Sequence, residues 1–242
     1  MPFPERLVPD EASVGIVALH EKRYRFALPH CVGMDVLDAG CGVGYGSALL
    51  ATVATRVVGV DVSSEAIDYA RARYSEPNVE FLVQDLLDLD LPPETFDVVC
   101  SFEAIEHLAD RDVFLRQVAR ALRETGVFLV STPRVKRTNT RPDNPYHYVE
   151  YSRADFEALL LRHFAAVELF GQRRPETRRP LLLRKLDVLG LRKHVGVLRK
   201  AGRLTTGTAP MQALTTEAII IDKQAIDKAA EIVAVCRKPR RP

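Results

Sequence analysis

The sequence has no run of eighteen or more apolar residues, which leaves no segment that reads as a membrane-spanning helix. It has no excess of one charge. Lys and Arg total 34 against 32 Asp and Glu, for a net charge of +2 over 242 residues, so the chain as a whole offers no general attraction to nucleic acid. Its four cysteines, Cys31, Cys41, Cys100 and Cys236, form no C-x-x-C pair. Cys100 and Cys236 fall in apolar, strand-like runs and read as small buried hydrophobes. The opening MPFPERLVPDEAS contains acids and prolines and lacks the apolar centre of a signal peptide, so the expected location is cytoplasmic and reducing. There are no internal repeats. With 47% hydrophobic and 27% charged residues, the length suits one soluble domain with a substantial core.

What is present is an alternation of short apolar strands and helices. Strands are expected near 35–39, 57–61, 79–83, 96–101, 127–131, 165–170 and 231–236. Helices are expected near 11–29, 45–54, 64–74, 111–123 and 153–162. This pattern predicts an α/β fold with a seven-stranded, mostly parallel sheet covered by helices on both faces. In such sheets ligands bind beyond the carboxyl ends of the strands. The expected organisation is one domain: an N-terminal helical cap (1–30), a core (31–173), an inserted basic and helical segment (174–228), and a last strand with its tail (229–242).

VLDAGCGVGYGS, residues 36–47, reads as a buried strand running through a glycine turn into a helix near Tyr45. Glycines allow backbone to approach a ligand closely. The Gly-Lys-Ser/Thr ending of a phosphate-binding loop is absent. The acid Asp38 closes the first strand, and Asp61 closes the next, Val57-Val58-Gly59-Val60. Vicinal hydroxyls are donors that suit a carboxylate, and an exocyclic amine suits another.

From about residue 34 to about residue 173 the chain resembles the class I S-adenosylmethionine-dependent methyltransferases. That resemblance implies a Rossmann-like fold with the last strand antiparallel, and it implies S-adenosylmethionine as cofactor and S-adenosylhomocysteine as product. It places the methionine part of the cofactor on DAGCG (Asp38, Gly40, Gly42). The ribose hydroxyls fall to Asp61 in GVDVS, with Val62 beside it, and the adenine amine to Asp85 in QDL, with Leu86 beside it. Ser101, at the end of the fourth strand, completes the expected cofactor set. A nicotinamide-dependent enzyme with Asp61 on its ribose is the competing reading.

SFEAIEHLAD, residues 101–110, follows the fourth strand. Glu103, Glu106 and His107 are spaced to share one face of a helical turn. Two carboxylates and an imidazole gathered at a strand end are costly unless something positive lies among them, and a divalent metal would serve. NPYHYVEYSRADF, residues 144–156, adds His147 and Glu150 in a loop before a helix.

E-x-x-E-H followed by H-x-x-E-[aromatic]-[Ser/Thr]-R-x-x-F resembles the metal-dependent sugar-hydroxyl methyltransferases, most closely the small-RNA 3′-terminal ribose 2′-O-methyltransferases. The resemblance implies a magnesium or manganese site at Glu103, Glu106, His107 and His147, with His147, His107 and Glu106 as the catalytic set. The first half of the motif is also similar to quinone-pathway O-methyltransferases. The chemical reason for a metal is that an aliphatic sugar hydroxyl ionises far above neutral pH. A divalent cation stabilises the negative charge developing on it, and a nearby imidazole or carboxylate takes the proton. Many methyltransferases carry a Glu-His pair here that only lines the pocket.

The expected activity is therefore O-methylation of a carbohydrate hydroxyl, with a small-molecule or oligosaccharide acceptor. A ribose 2′-O-methyltransferase of RNA ends and a quinone or polyphenol O-methyltransferase are the alternatives. A non-catalytic cofactor-binding subunit is the rival of another class. Tyr24, Tyr148 and Glu150 are candidate acceptor contacts. His20, Arg23 and Tyr24 lie on the N-terminal helix, where a structural role is equally open.

Arg173 to Arg203 holds eleven Lys or Arg against two acids, interleaved with leucines and without aromatics for base stacking, so nucleic acid is not favoured as a partner. Residues 174–215 are open to three readings: a solvated cap, a peripheral membrane-surface helix, or a lid over the acceptor. A homodimer is compatible with the sequence.

Overall fold

The computed structural model describes residues 7–175, 211–224 and 226–240. Residues 176–210, which hold most of the expected basic cap, lie outside the described residues.

An amino-terminal helix, α1 (Val14–Cys31), leads into β1 (Asp35–Ala39), α2 (Tyr45–Ala51), β2 (Arg56–Asp61), α3 (Ser64–Arg73) and β3 (Val79–Val83). Then come β4 (Phe96–Phe102), α4 (Arg111–Ala121), β5 (Leu122–Pro133), α5 (Arg153–His163) and β6 (Phe164–Arg173). A short β7 (Ile220–Asp222) and the long β8 (Glu231–Pro239) complete one sheet of order β3-β2-β1-β4-β5-β8-β6-β7. The strands from β3 to β5 are parallel, while β8 runs antiparallel to both β5 and β6. The fold is the expected Rossmann-like one, with an antiparallel last strand.

Alternation along the strands divides the core. Val36, Val98, Cys100, Leu129 and Val235 pack with Tyr24, Ala27 and Cys31 of α1 and Leu50 of α2. On the opposite face Leu37, Val58, Val99, Phe128 and Val130 pack with Phe114, Leu115 and Val118 of α4 and Phe156 and Leu160 of α5. All four cysteines are buried and free. Side-chain caps set three helix starts. Ser63 accepts from the Ala66 amide, Asp110 from the Val113 amide and Ser152 from the Asp155 amide.

The sheet has eight strands where seven were expected. The extra one, β7, pairs antiparallel with the end of β6 at the sheet edge. Its β-branched run Ile219-Ile220-Ile221 favours extended backbone, so the described end of the inserted segment carries a strand as well as short helical turns. No helix among the described residues is long and apolar enough to cross a membrane.

The order of strands reverses at β1 and β4, so the chain leaves β1 and β4 toward opposite sides and opens a crevice at their carboxyl ends. Asp38, Asp61, Ser101 and Glu103 all lie at such ends.

Candidate active site

The glycine turn after β1 is shaped by backbone that only glycine adopts readily. Gly42 has a φ of +56°, and a Cβ there would meet nothing within 4 Å, so the turn borders open space. Gly46 is a glycine for the opposite reason: a Cβ would lie 1.9 Å from the ring of Tyr24, which packs on the first turn of α2.

Asp38 is fully buried. It accepts hydrogen bonds from Ser47 Oγ at 2.7 Å and from the Tyr24 hydroxyl at 3.2 and 3.3 Å. Burial pushes its carboxyl up to about 7, against the pull of those two donors. Tyr24, expected as an acceptor contact or a structural residue, thus ties α1 to the end of β1. Its own hydroxyl is pushed up by burial and by Asp38.

Asp61 accepts from the amides of Gly42 and Ser63, each at 3.0 Å, so the second strand's acid faces the glycine turn. Val62 beside it is 62% exposed. Asp85 is exposed and accepts from the Leu87 amide at 2.9 Å, while Leu86 is buried. Ser101 is buried, and its Oγ meets no hydrogen-bond partner. An open turn, an acid at each neighbouring strand end and an orphaned buried hydroxyl fit a ligand carrying hydroxyls and amines. S-adenosylmethionine is such a ligand.

On the other side of the crevice, Glu103, Glu106 and His107 do not share a regular helical face, contrary to the expectation from spacing. Glu103 has a left-handed φ of +54°, and only Ile105–His107 form a single 3-10 turn. The backbone bends there because β5 captures Glu103. Its amide donates to Ser131 O at 3.3 Å and Ser131 Oγ at 3.1 Å, and Ser131 Oγ donates to Glu103 Oε1 at 2.6 Å. Glu106 is 1% exposed and accepts from Thr132 Oγ1 at 3.2 Å. Burial, with the Glu103 charge beside it, pushes its carboxyl well above the usual range.

The loop before α5 docks on this turn. The Tyr148 amide donates to the Glu106 carbonyl at 2.8 Å, and buried Val149 and Tyr151 anchor the loop. As a result the rings of His107 and His147 meet edge to face, 4.8 Å apart. His107 Nδ1 donates to the Tyr146 carbonyl at 3.0 Å, and His147 Nδ1 lies 3.0 Å from Glu150 Oε1. In the neutral ring with Nδ1 donating, Nε2 is the acceptor atom, the arrangement that orients metal-bound histidines.

Glu106, His107 and His147 bring one ligand atom each within 4.8 Å of one another. Glu103, on Ser131, is not in that group. Glu150 is a partner of His147, and Tyr148 is 58% exposed beside the cluster. Sequence spacing did not single out Ser131, Thr132 or Glu231. The signal available was polar residues at the ends of apolar strands: Ser131-Thr132 at the end of β5 and Glu231 at the start of β8.

Comparison with known proteins agrees with the fold. Residues 37–130 match the family model described as a methyltransferase domain. The chain is 42% identical over 145 residues to a probable S-adenosylmethionine-dependent methyltransferase of Mycobacterium tuberculosis, covering 59% of this chain and 52% of that protein. It is 35% identical over 102 residues to a ubiquinone biosynthesis O-methyltransferase of Mesorhizobium japonicum, covering 41% of each. The chain spans about half the length of the curated relatives it matches first. Among solved structures, a putative methyltransferase in complex with the Haloferax volcanii Trm112 activator superposes with a TM-score of 0.62. That match has 22% identity and covers 94% of this chain and 93% of that one.

Proposed function

We propose that this protein is an S-adenosylmethionine-dependent O-methyltransferase that acts on a carbohydrate hydroxyl with the assistance of a divalent cation. The cofactor half of the reading is supported by Asp38, Asp61 and Asp85 in order after successive strands, by the glycine turn they border, and by the named activity of the relatives. The acceptor half is carried by one observation: Glu106 and two imidazoles converge, and both imidazoles have Nδ1 held by an acceptor.

In this reading Glu106 and the Nε2 atoms of His107 and His147 would hold the cation. Oxygen and nitrogen ligands without thiolate suit magnesium or manganese. When bound, the ion would supply charge stabilisation to a hydroxyl oxygen that is otherwise too weak a nucleophile. Glu150 and the Tyr146 carbonyl keep the rings turned inward. Thr132 fixes Glu106. Glu103 joins the ligand set only by exchanging its bond with Ser131.

Dialysis against chelator should abolish S-adenosylhomocysteine release with a glycoside acceptor, and magnesium or manganese should restore it. Cofactor affinity should hold throughout. Full turnover after exhaustive chelation would reject the cation, leaving His107 or His147 as a general base. The second reading, a quinone or polyphenol O-methyltransferase, draws on the similarity to the ubiquinone enzyme of Mesorhizobium japonicum. Faster turnover of catechol than of any glycoside would favour it.

A further inference from the structure

Arg23 lies on α1 one position before Tyr24. It is 1% exposed, and its Nε and Nη2 meet no hydrogen-bond partner. Guanidinium donors removed from water without partners are costly. Such orphans concentrate where a ligand completes the bonding.

A second orphan lies nearby. Oε2 of Glu231 is buried without a partner. Glu231 opens β8 opposite Pro133 of β5 and Gln172 of β6. It therefore follows directly along the sheet from Thr132 and Ser131, which hold Glu106 and Glu103. Burial and the Glu103 charge push the Glu231 carboxyl up against the pull of the Arg23 and Arg174 charges, and the Glu103 and Arg23 charges also act on Glu106, so these groups share one electrostatic environment. Arg23, Glu103, Glu106 and Glu231 come from α1, the end of β4 and the start of β8; none bonds Asp38 or Asp61, although the Arg23 and Glu103 charges also reach Tyr45 at the start of α2.

On β6, Gln172 Oε1 opposite Glu231 and Arg173 Nε beside it are also buried without partners, and the chemistry of Arg23 and Glu231 selects a ligand. Arg23 has only donors, while Glu231, pushed up to about 7 by burial and the Glu103 charge, accepts when ionised and donates when protonated; a hydroxyl serves both residues in either state. A carboxylate ligand would satisfy Arg23 but has no donor for an ionised Glu231. A simple phenol has too few hydroxyls to reach both residues. We propose that Arg23 and Glu231 form an acceptor subsite that binds hydroxyls of a neutral polyol next to the one being methylated. This rests on the carbohydrate reading above and adds the residues that recognise the acceptor.

The test uses the full chain with magnesium, as wild type, Arg23→Lys and Glu231→Gln. The probes are S-adenosylhomocysteine, a panel of neutral mono- and oligosaccharide methyl glycosides with their monodeoxy analogues, and catechol. Both variants should keep cofactor-product affinity within about threefold by calorimetry, which also shows that they fold. For the best glycoside, KM should rise by about tenfold or more, with kcat changed less. One monodeoxy analogue that is poor for wild type should be no poorer than its parent for one variant, identifying the hydroxyl that residue binds. A loss of about tenfold or more in S-adenosylhomocysteine affinity in Arg23→Lys would assign the guanidinium to the cofactor and overturn the subsite. So would glycoside methylation with unchanged KM in both variants. If wild type methylates catechol and no glycoside, the carbohydrate reading itself has failed and the polyol subsite falls with it.

Discussion

On the glycine-turn side of the crevice, Asp38 and Asp61 are bound by nearby hydroxyls and amides, and their strands, β1 and β2, are each flanked on both sides by parallel strands. On the acid–imidazole side, Glu106, His107 and His147 are held by a single 3-10 turn and a loop. A left-handed Glu103 and orphaned atoms at Arg23 and Glu231 lie beside them. The first side is satisfied by the protein alone except at Ser101. The second is left open at several polar atoms. Groups that a fold leaves unsatisfied at the mouth of a crevice are those a ligand is expected to complete, so on the proposed reading the first side is the cofactor seat and the second is where the acceptor would be handled.

The largest expected effect tests that division. If Glu106 holds the proposed cation, Glu106→Ala should lower methyl transfer by several orders of magnitude, because such an ion would stabilise charge that develops mainly in the transition state. S-adenosylhomocysteine affinity measured by calorimetry should not change. Loss of both together would show that the two sides are one site.

Asp61→Ala is the converse. It should cost about 2 kcal/mol of cofactor binding, roughly thirtyfold in affinity, the scale for a charged hydrogen-bond partner. Undiminished affinity by calorimetry would remove Asp61 from the ribose.

Asp38 tests how the glycine-turn side responds to pH. Its folded carboxyl is raised from 3.8 to about 7. The folded state therefore holds a proton that the unfolded state has released, so the stability from this group is full below 3.8 and is lost as pH rises through about 7. Thermal melts of the ligand-free protein should show that decline, and Asp38→Asn should flatten it. An identical slope in the variant would place the titration elsewhere.

The smallest effect concerns the loop side. Ser152 caps α5 directly after the 144–151 loop. Ser152→Ala should cost about 1 kcal/mol of stability. It should also slow turnover more than it weakens cofactor binding, as read from melting curves and steady-state kinetics. Equal losses would mean that α5 supports both sides alike.

The glycine-turn side was the more legible in sequence. Hydrophobic period, the glycines and the acids at strand ends are local signals, and β1 and β3 fall at their expected bounds. The acid–imidazole side depends on contacts distant along the chain. Spacing alone put Glu103 on a helical face with Glu106. The hydroxyl of Ser131, on another strand, pulls it out of that geometry. His147 was found through its motif, but its Nδ1 bond to Glu150 becomes visible only when the loop is folded. Glu231 had no local signature, because its neighbours in the sheet are decided by where β8 inserts.

That insertion has a consequence for how the protein is made. β5 and β6 are joined through α5 but are kept one strand apart, about 10 Å at normal strand spacing, until β8 fills the gap. A chain that has folded through β6 presents two bare inner edges, which are prone to slow closure and to pairing with other molecules. The same late strand brings Glu231 to the crevice. Recognition of the acceptor would then arise only when the sheet is sealed, and a partly assembled protein could hold cofactor without being able to spend it on an acceptor.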